Sequence, residues 1–267
     1  MENQYDMKKT FLLAAVAALP VLFACSKGDD TRFEDPRFIQ YAGRLIPTGT
    51  KADAPEALVE SIELTESGLF VVGTRTDGKL TFNTGAYSVS GSTYTLPGFG
   101  TIELSGSSAM VNPASGASFT ASFRRASGAN VAYRGWSIDK IRATVNGFHD
   151  PVTAEFKGCN FAEISKFLED NGHKGGYLPS GSLNSISFTG TGSIVFAYSD
   201  NTADLGDCTI SGSDVSFSWQ GETRLFELQN GKATIEYLDG KCILKVEGSL
   251  KGSTTSGTVT LVLSPLA

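Results

Sequence analysis

The chain has little of what metal sites, hydrolytic centres and nucleic-acid interfaces are built from. Only 2 of its 267 residues are histidine, His149 and His173, each beside Gly or Asp in loop-like sequence, so no imidazole cluster for a metal is expected. No C-x-x-C or His-Cys spacing suggests zinc, and neither G-x-S-x-G nor H-E-x-x-H occurs. Positive charge is also scarce: 22 Lys and Arg against 28 Asp and Glu give a net charge of −6, which argues against a partner made of phosphates. Beyond residue 24 no stretch approaches 18 consecutive apolar residues, so a spanning helix is excluded there.

The remaining chemical motifs are weak. Ser137-Ile-Asp-Lys140 has the S-x-x-K spacing of a serine nucleophile with a lysine base, but the segment reads as a strand, where positions i and i+3 face opposite ways. The S-D-N and K-T-G partners of that motif are missing. Glu163, Glu169 and Asp170 sit on a short helix and read as its solvated face rather than as an acid pair for glycoside hydrolysis. Gly98-Phe-Gly100 and Gly190-Thr-Gly192 lack the following helix that a phosphate cradle needs and read as turn glycines. The expectation is a protein that is not an enzyme and uses no cofactor or metal.

What is present begins at the amino end. Lys8 and Lys9 precede an apolar run from Phe11 to Phe23, then Ala24 and Cys25, the order of a secretory signal too short to span a membrane. Glu2 and Asp6 spoil the positive start, so either Met1 or Met7 begins the natural chain. This reading divides the chain into a signal at 1–24, a polar tether at 25–36, an N-terminal β domain at 37–130 and a C-terminal β domain at 131–267. With Cys25 set apart, Cys159, Cys208 and Cys242 remain, an odd number that permits at most one bridge within the chain. Three free core thiols are the alternative.

The chain carries 30 glycines, nearly all in the body, and short alternating apolar runs, the pattern of strands and turns. It also repeats itself. Ser61-Ile-Glu-Leu-Thr-Glu-Ser-Gly68 aligns without gaps on Ser185-Ile-Ser-Phe-Thr-Gly-Thr-Gly192, and Gly85-Ala-Tyr-Ser-Val-Ser-Gly-Ser92 on Gly206-Asp-Cys-Thr-Ile-Ser-Gly-Ser213. Asp77-Gly78 and Asp239-Gly240 are expected as two-residue hairpin turns. One segment breaks the strand period: Asn160-Phe-Ala-Glu163 reads as a capping box, followed by an apolar face of Phe161, Ile164, Phe167 and Leu168 and a stop at Gly172. The fold class is therefore all-β, two related antiparallel β domains with one short helix in the second.

Leu22, Ala24 and Cys25 resemble the lipobox of bacterial lipoproteins, and Ser26 to Asp30 resemble the acidic tract of surface-exported lipoproteins of Bacteroidetes type. Tyr133-Arg-Gly-Trp136, the helix with Cys159-Asn160 and the T-G-x-Y-x-V-S-G hairpin at 84–91 resemble lipoproteins of that group with lipocalin-like domains of unknown function. The resemblance implies lipidation of Cys25, attachment to the outer membrane at the cell surface or facing the periplasm, and barrels or half-barrels with apolar interiors. Tyr87, Tyr94, Phe99, Trp136 and Trp219 are the candidate lining for a small hydrophobic ligand or a glycan, with core packing as the competing role. A structural or adhesive surface protein, associated with fimbriae, is the alternative function.

Overall fold

The computed structural model describes residues 36–48, 58–128, 130–146, 151–172, 178, 181–221, 226–227, 232–250 and 256–266. Residues 1–35, with the candidate signal, Cys25 and most of the tether, lie outside the described residues, as do His149 and His173.

Alternating side chains dictate strands, and the strands close into two rings. Strands β1 (Gly43–Pro47), β2 (Leu58–Leu64), β3 (Leu69–Thr76) and β4 (Lys79–Ala86) form an antiparallel meander. After Tyr87 the same strand resumes as β5 (Ser88–Ser90) and leads through β6 (Thr93–Leu96), β7 (Gly100–Ser105) and β8 (Ser108–Pro113) to β9 (Phe119–Arg125). Strand β9 pairs with β1, so the bend at Tyr87 joins the two ends of the sheet into a barrel. Counting β4 and β5 as one bent strand, the barrel has eight strands. Closure hides the strand edges that an open sheet would expose.

The second barrel closes through hydrogen bonds alone. Strand β10 (Gly135–Val145) pairs with β12 (Leu183–Thr189), and the meander continues through β13 (Ser193–Tyr198), β14 (Ala203–Ser211), β15 (Asp214–Trp219), β17 (Lys232–Leu238), β18 (Lys241–Leu250) and β19 (Ser256–Pro265). Strand β19 then pairs with β10 along nearly its whole length. Two strands stand outside this ring: β11 (Val152–Lys157) on β10, and the two-residue β16 (Phe226–Glu227) on β18.

The sequence repeat is a structural repeat. The hairpin β2–β3 corresponds to β12–β13, and the glycines that end the two turns, Gly68 and Gly192, have φ of 83° and 82°. Gly91 and Gly212, in the next matched turn, both have φ of 61°. Both aspartate-glycine turns keep positive φ at both residues, 50° and 79° at Asp77-Gly78 and 51° and 71° at Asp239-Gly240, as a two-residue hairpin requires. Gly85 and Gly206 also match: a β-carbon on Gly85 would meet the Phe70 ring at 2.9 Å, and one on Gly206 would meet Ser218 O at 2.8 Å and Ile194 at 3.2 Å.

The helix α1 (Phe161–Asp170) starts after the expected N-cap, Asn160, whose Oδ1 accepts the Ala162 N–H at 2.9 Å and not the Glu163 N–H that a capping box would use. Phe161 and Leu168 are buried, and the Phe167 ring meets Phe156 of β11 edge-on at 5.7 Å. Helix α1 thus lies against the second barrel and β11.

The outer faces of the barrels meet each other. Val71 and Phe82 of the first barrel pack with Val195, Ala203 and Leu205 of the second, and Val71, Val195 and Leu205 are completely excluded from solvent. The Thr84 N–H donates to Asn201 O at 2.8 Å beside a bridge between Asn83 and Thr202, extending the contact through backbone. Cys159, Cys208 and Cys242 are unpaired thiols, and burial pushes each up to about 12.

Candidate functional site

The aromatic candidates fall in separate interiors. Tyr87 and Tyr94 lie inside the first barrel with ring centroids 6.0 Å apart, and the segment before β1 closes one end over them through Phe38, edge-on to Tyr87 at 5.0 Å. The Tyr87 hydroxyl donates to Thr65 O at 3.0 Å, and burial raises the phenol far above its ordinary value. With Phe70, Ile102 and Phe123 these rings form a packed core, and Phe99 is packed against it.

Trp136 and Trp219 belong to the second barrel. Trp136 has 0 % exposure, its Nε1–H donates to Ala132 O at 3.1 Å, and the Arg134 guanidinium lies 5.7 Å over its ring. It is a satisfied core residue. Trp219 is different: its ring contacts Phe196 at 5.0 Å and Phe217 at 5.2 Å, yet its buried Nε1–H has no hydrogen-bond partner. Val215, Phe217 and Trp219 alternate inward on β15, and Gly206 opposite Trp219 leaves room for the indole, whose Cε3 lies 3.2 Å from where a β-carbon would be.

The same interior holds Asp204 on β14 and Tyr198 at the end of β13, both buried, with the phenol donating to Asp204 Oδ2 at 2.6 Å. The Phe161 ring of α1 lies 6.1 Å from Tyr198. Trp219 pairs with Gly206, two residues from Asp204, so the strand register brings the indole and this polar pair to the same end of the barrel. Sequence reasoning missed Asp204 because it sits in A-D-L-G-D, where the inward alternation runs through polar and glycine residues.

The S-x-x-K reading needs a correction. A register shift between Ile138 and Lys140 inserts Asp139 as a bulge, so Ser137 pairs with Ser264 and Lys140 with Val262. Two positions along β19 separate these partners, which puts Ser137 and Lys140 on the same face, not on opposite ones. They still do not meet: Ser137 Oγ donates to Ser264 O at 3.3 Å, and Lys140 Nζ pairs with Glu155 at 3.4 Å. The serine that touches a lysine is Ser264, 2.5 Å from Lys241 Nζ, but that lysine is held by Asp139 at 2.8 Å. Lys241 and then Ser264 keep the Asp139 carboxyl below its ordinary value, and the ion pair lies on the surface.

A feature that sequence reasoning did not single out lies at the junction between the barrels. Glu63, which alternates with Ile62 and Leu64 on β2, and Glu66, in the turn that follows, are 0 % and 2 % exposed. The second barrel covers them. Arg44 donates to Glu63 Oε2 at 2.6 Å and to Ser193 Oγ, and lies 3.5 Å from Asp207, while Thr191 Oγ1 donates to the other Glu63 oxygen. Gly190 N–H donates to Glu66 Oε1 at 2.7 Å, Ser127 N–H to Gly190 O at 3.1 Å, and Arg124 to Thr191 O at 2.7 Å. Glu66 and Gly190 occupy matched positions of the repeat, as do Val71 and Val195, so equivalent residues touch one another as they do at a two-fold interface. No arrangement of three or more metal-ligating side chains occurs among the described residues, and no helix among them is long and apolar enough to cross a membrane.

These features define an all-β protein of two antiparallel barrels with one attached helix. Comparison with protein-family models, with curated proteins and with solved structures gives no match.

Proposed function

We propose that this chain is a non-catalytic lipoprotein of the cell envelope, tethered through Cys25 and holding a small apolar ligand or glycan fragment at one end of its second barrel. The observation that carries the reading is the buried Trp219 Nε1–H without a partner, set among Phe196 and Phe217. A buried donor left unsatisfied costs on the order of 1–3 kcal/mol, and a ligand with an acceptor atom relieves that cost. Eight-stranded barrels have interiors that side chains just fill or that admit one small ligand, and an aromatic wall with few polar groups is the common lining of such sites. The first barrel, whose tyrosines are packed in its core, serves in this reading as the rigid mount.

Native mass spectrometry of protein purified from its own host is the direct test. A bound small molecule that is lost from Trp219→Phe, with the barrel still folded, is the expected result. Protein that carries no ligand, and whose indole fluorescence ignores added fatty acids and oligosaccharides, would overturn it. Fatty-acid labelling checks the tether: label is expected on the wild-type chain and absent from Cys25→Ala.

The alternative is a structural or adhesive surface protein, in which the barrels are spacers. The sealed junction favours it, since Glu63, Glu66, Val71 and Val195 are all buried between the barrels. An empty, ligand-indifferent second barrel would select this reading over the first.

A further inference from the structure

We propose that Glu66 makes the junction between the barrels a proton-controlled latch, sealed when its carboxyl is neutral and loosened when it ionises. The proposal is independent of any ligand in the second barrel. It starts from geometry: Glu66 is 2 % exposed, Oε1 accepts the Gly190 N–H at 2.7 Å, and Oε2 is buried with no hydrogen-bond partner.

Among the described residues, the charged groups around it offer no counter-ion. On its own hairpin, Glu63 is a second buried carboxylate and repels it. From β1, Arg44 is engaged with Glu63, Ser193 and Asp207 of β14. From β9, Arg124 donates to the Thr191 carbonyl, and from the β4–β5 bend the Tyr87 hydroxyl donates to Thr65 O. Only two backbone N–H groups, those of Gly190 and Glu66 itself, favour the anion. Burial dominates, with Glu63 adding to it, and the carboxyl is raised from 4.5 to about 7.

Water cannot reach the ionised group while the junction is closed. A β-carbon on Gly190 would stand 2.7 Å from Ser127 O and 3.2 Å from Glu66 Oε1, so the turn of the second barrel lies in backbone contact over the carboxyl. Solvating a carboxylate there requires the 189–192 turn to separate from Glu66 and Ser127. The matched position in the repeat is Gly190 itself, so the Glu66 carboxyl has no repeat-related counterpart across the contact.

Amide hydrogen exchange of the full chain, resolved by NMR, tests the latch. After correction for the intrinsic rate, the opening constants of the Gly190 and Ser127 amides are expected to rise about tenfold per pH unit between about pH 5 and 7, then level off. Amides of β18, far from the junction in the sheet order, should not follow. Glu66→Gln, which keeps the shape and removes the charge, should give a flat profile. Flat wild-type exchange, or a variant that follows the wild type, would overturn the proposal. Should that variant fail to fold, carbon NMR of the wild-type side-chain carboxyls decides: a midpoint near 7 supports the latch, and one near 4.5 sinks it.

Discussion

At the scale of single residues, burial sets the behaviour of the charged groups more than sequence neighbours do. Glu66 shows the sign. Its folded-state carboxyl lies above the 4.5 of an exposed glutamate, so its contribution to stability is complete below that value and lost as pH rises through about 7. The loss is on the order of 3 kcal/mol at most, and urea unfolding at pH 5 and pH 8 should show it as a difference between wild type and Glu66→Gln. Other groups titrate in both proteins and cancel in that difference. Glu63 is not distinguishable in the sequence from a solvated strand residue, nor Glu66 from a solvated turn residue, because a polar position looks the same whether it meets water or another barrel. Gly190 is similar: it reads as a turn glycine, yet its lack of a side chain admits Ser127 and Glu66.

At the scale of elements, local signals were sufficient wherever the partner lay nearby in the chain. The helix start at Asn160, the aspartate-glycine hairpins and the alternating strands all form where their sequences indicate. Replacing Asn160 by alanine removes the acceptor of the Ala162 N–H and should cost about 1 kcal/mol, read from urea midpoints, without altering the barrels. The bulge at Asp139 was not legible. It is imposed by pairing β10 with β19, more than a hundred residues away, and it reverses which face Lys140 shares with Ser137. The aromatic residues divide in the same way: their strands are readable, but which interior each occupies depends on ring closure.

At the scale of the whole molecule, the two barrels are joined by an apolar patch and a buried ionic network rather than by the connecting chain alone. Arg44 is the centre of that network, with side-chain exposure of 14 % against 0 % for Glu63. Arg44→Met leaves Glu63 buried without its cation, a change that costs roughly 3–5 kcal/mol. Calorimetry should show one unfolding transition for the wild type and two for the variant, as the barrels cease to support each other. The pseudo-two-fold contact gives the reason: matched segments from both repeats meet, so one damaged residue weakens the contact on both sides.

The sequence by itself determined the strands, the turns, the helix and the repeat, because each rests on local periodicity, capping or backbone φ. Tertiary structure alone decided that the strands close into two barrels, that Trp219 is left with an unpaired donor, and that Glu63 and Glu66 are dry. Those outcomes depend on which distant surface covers a residue, and covering removes water, the quantity that fixes both the cost of an unpaired donor and the charge of a carboxyl.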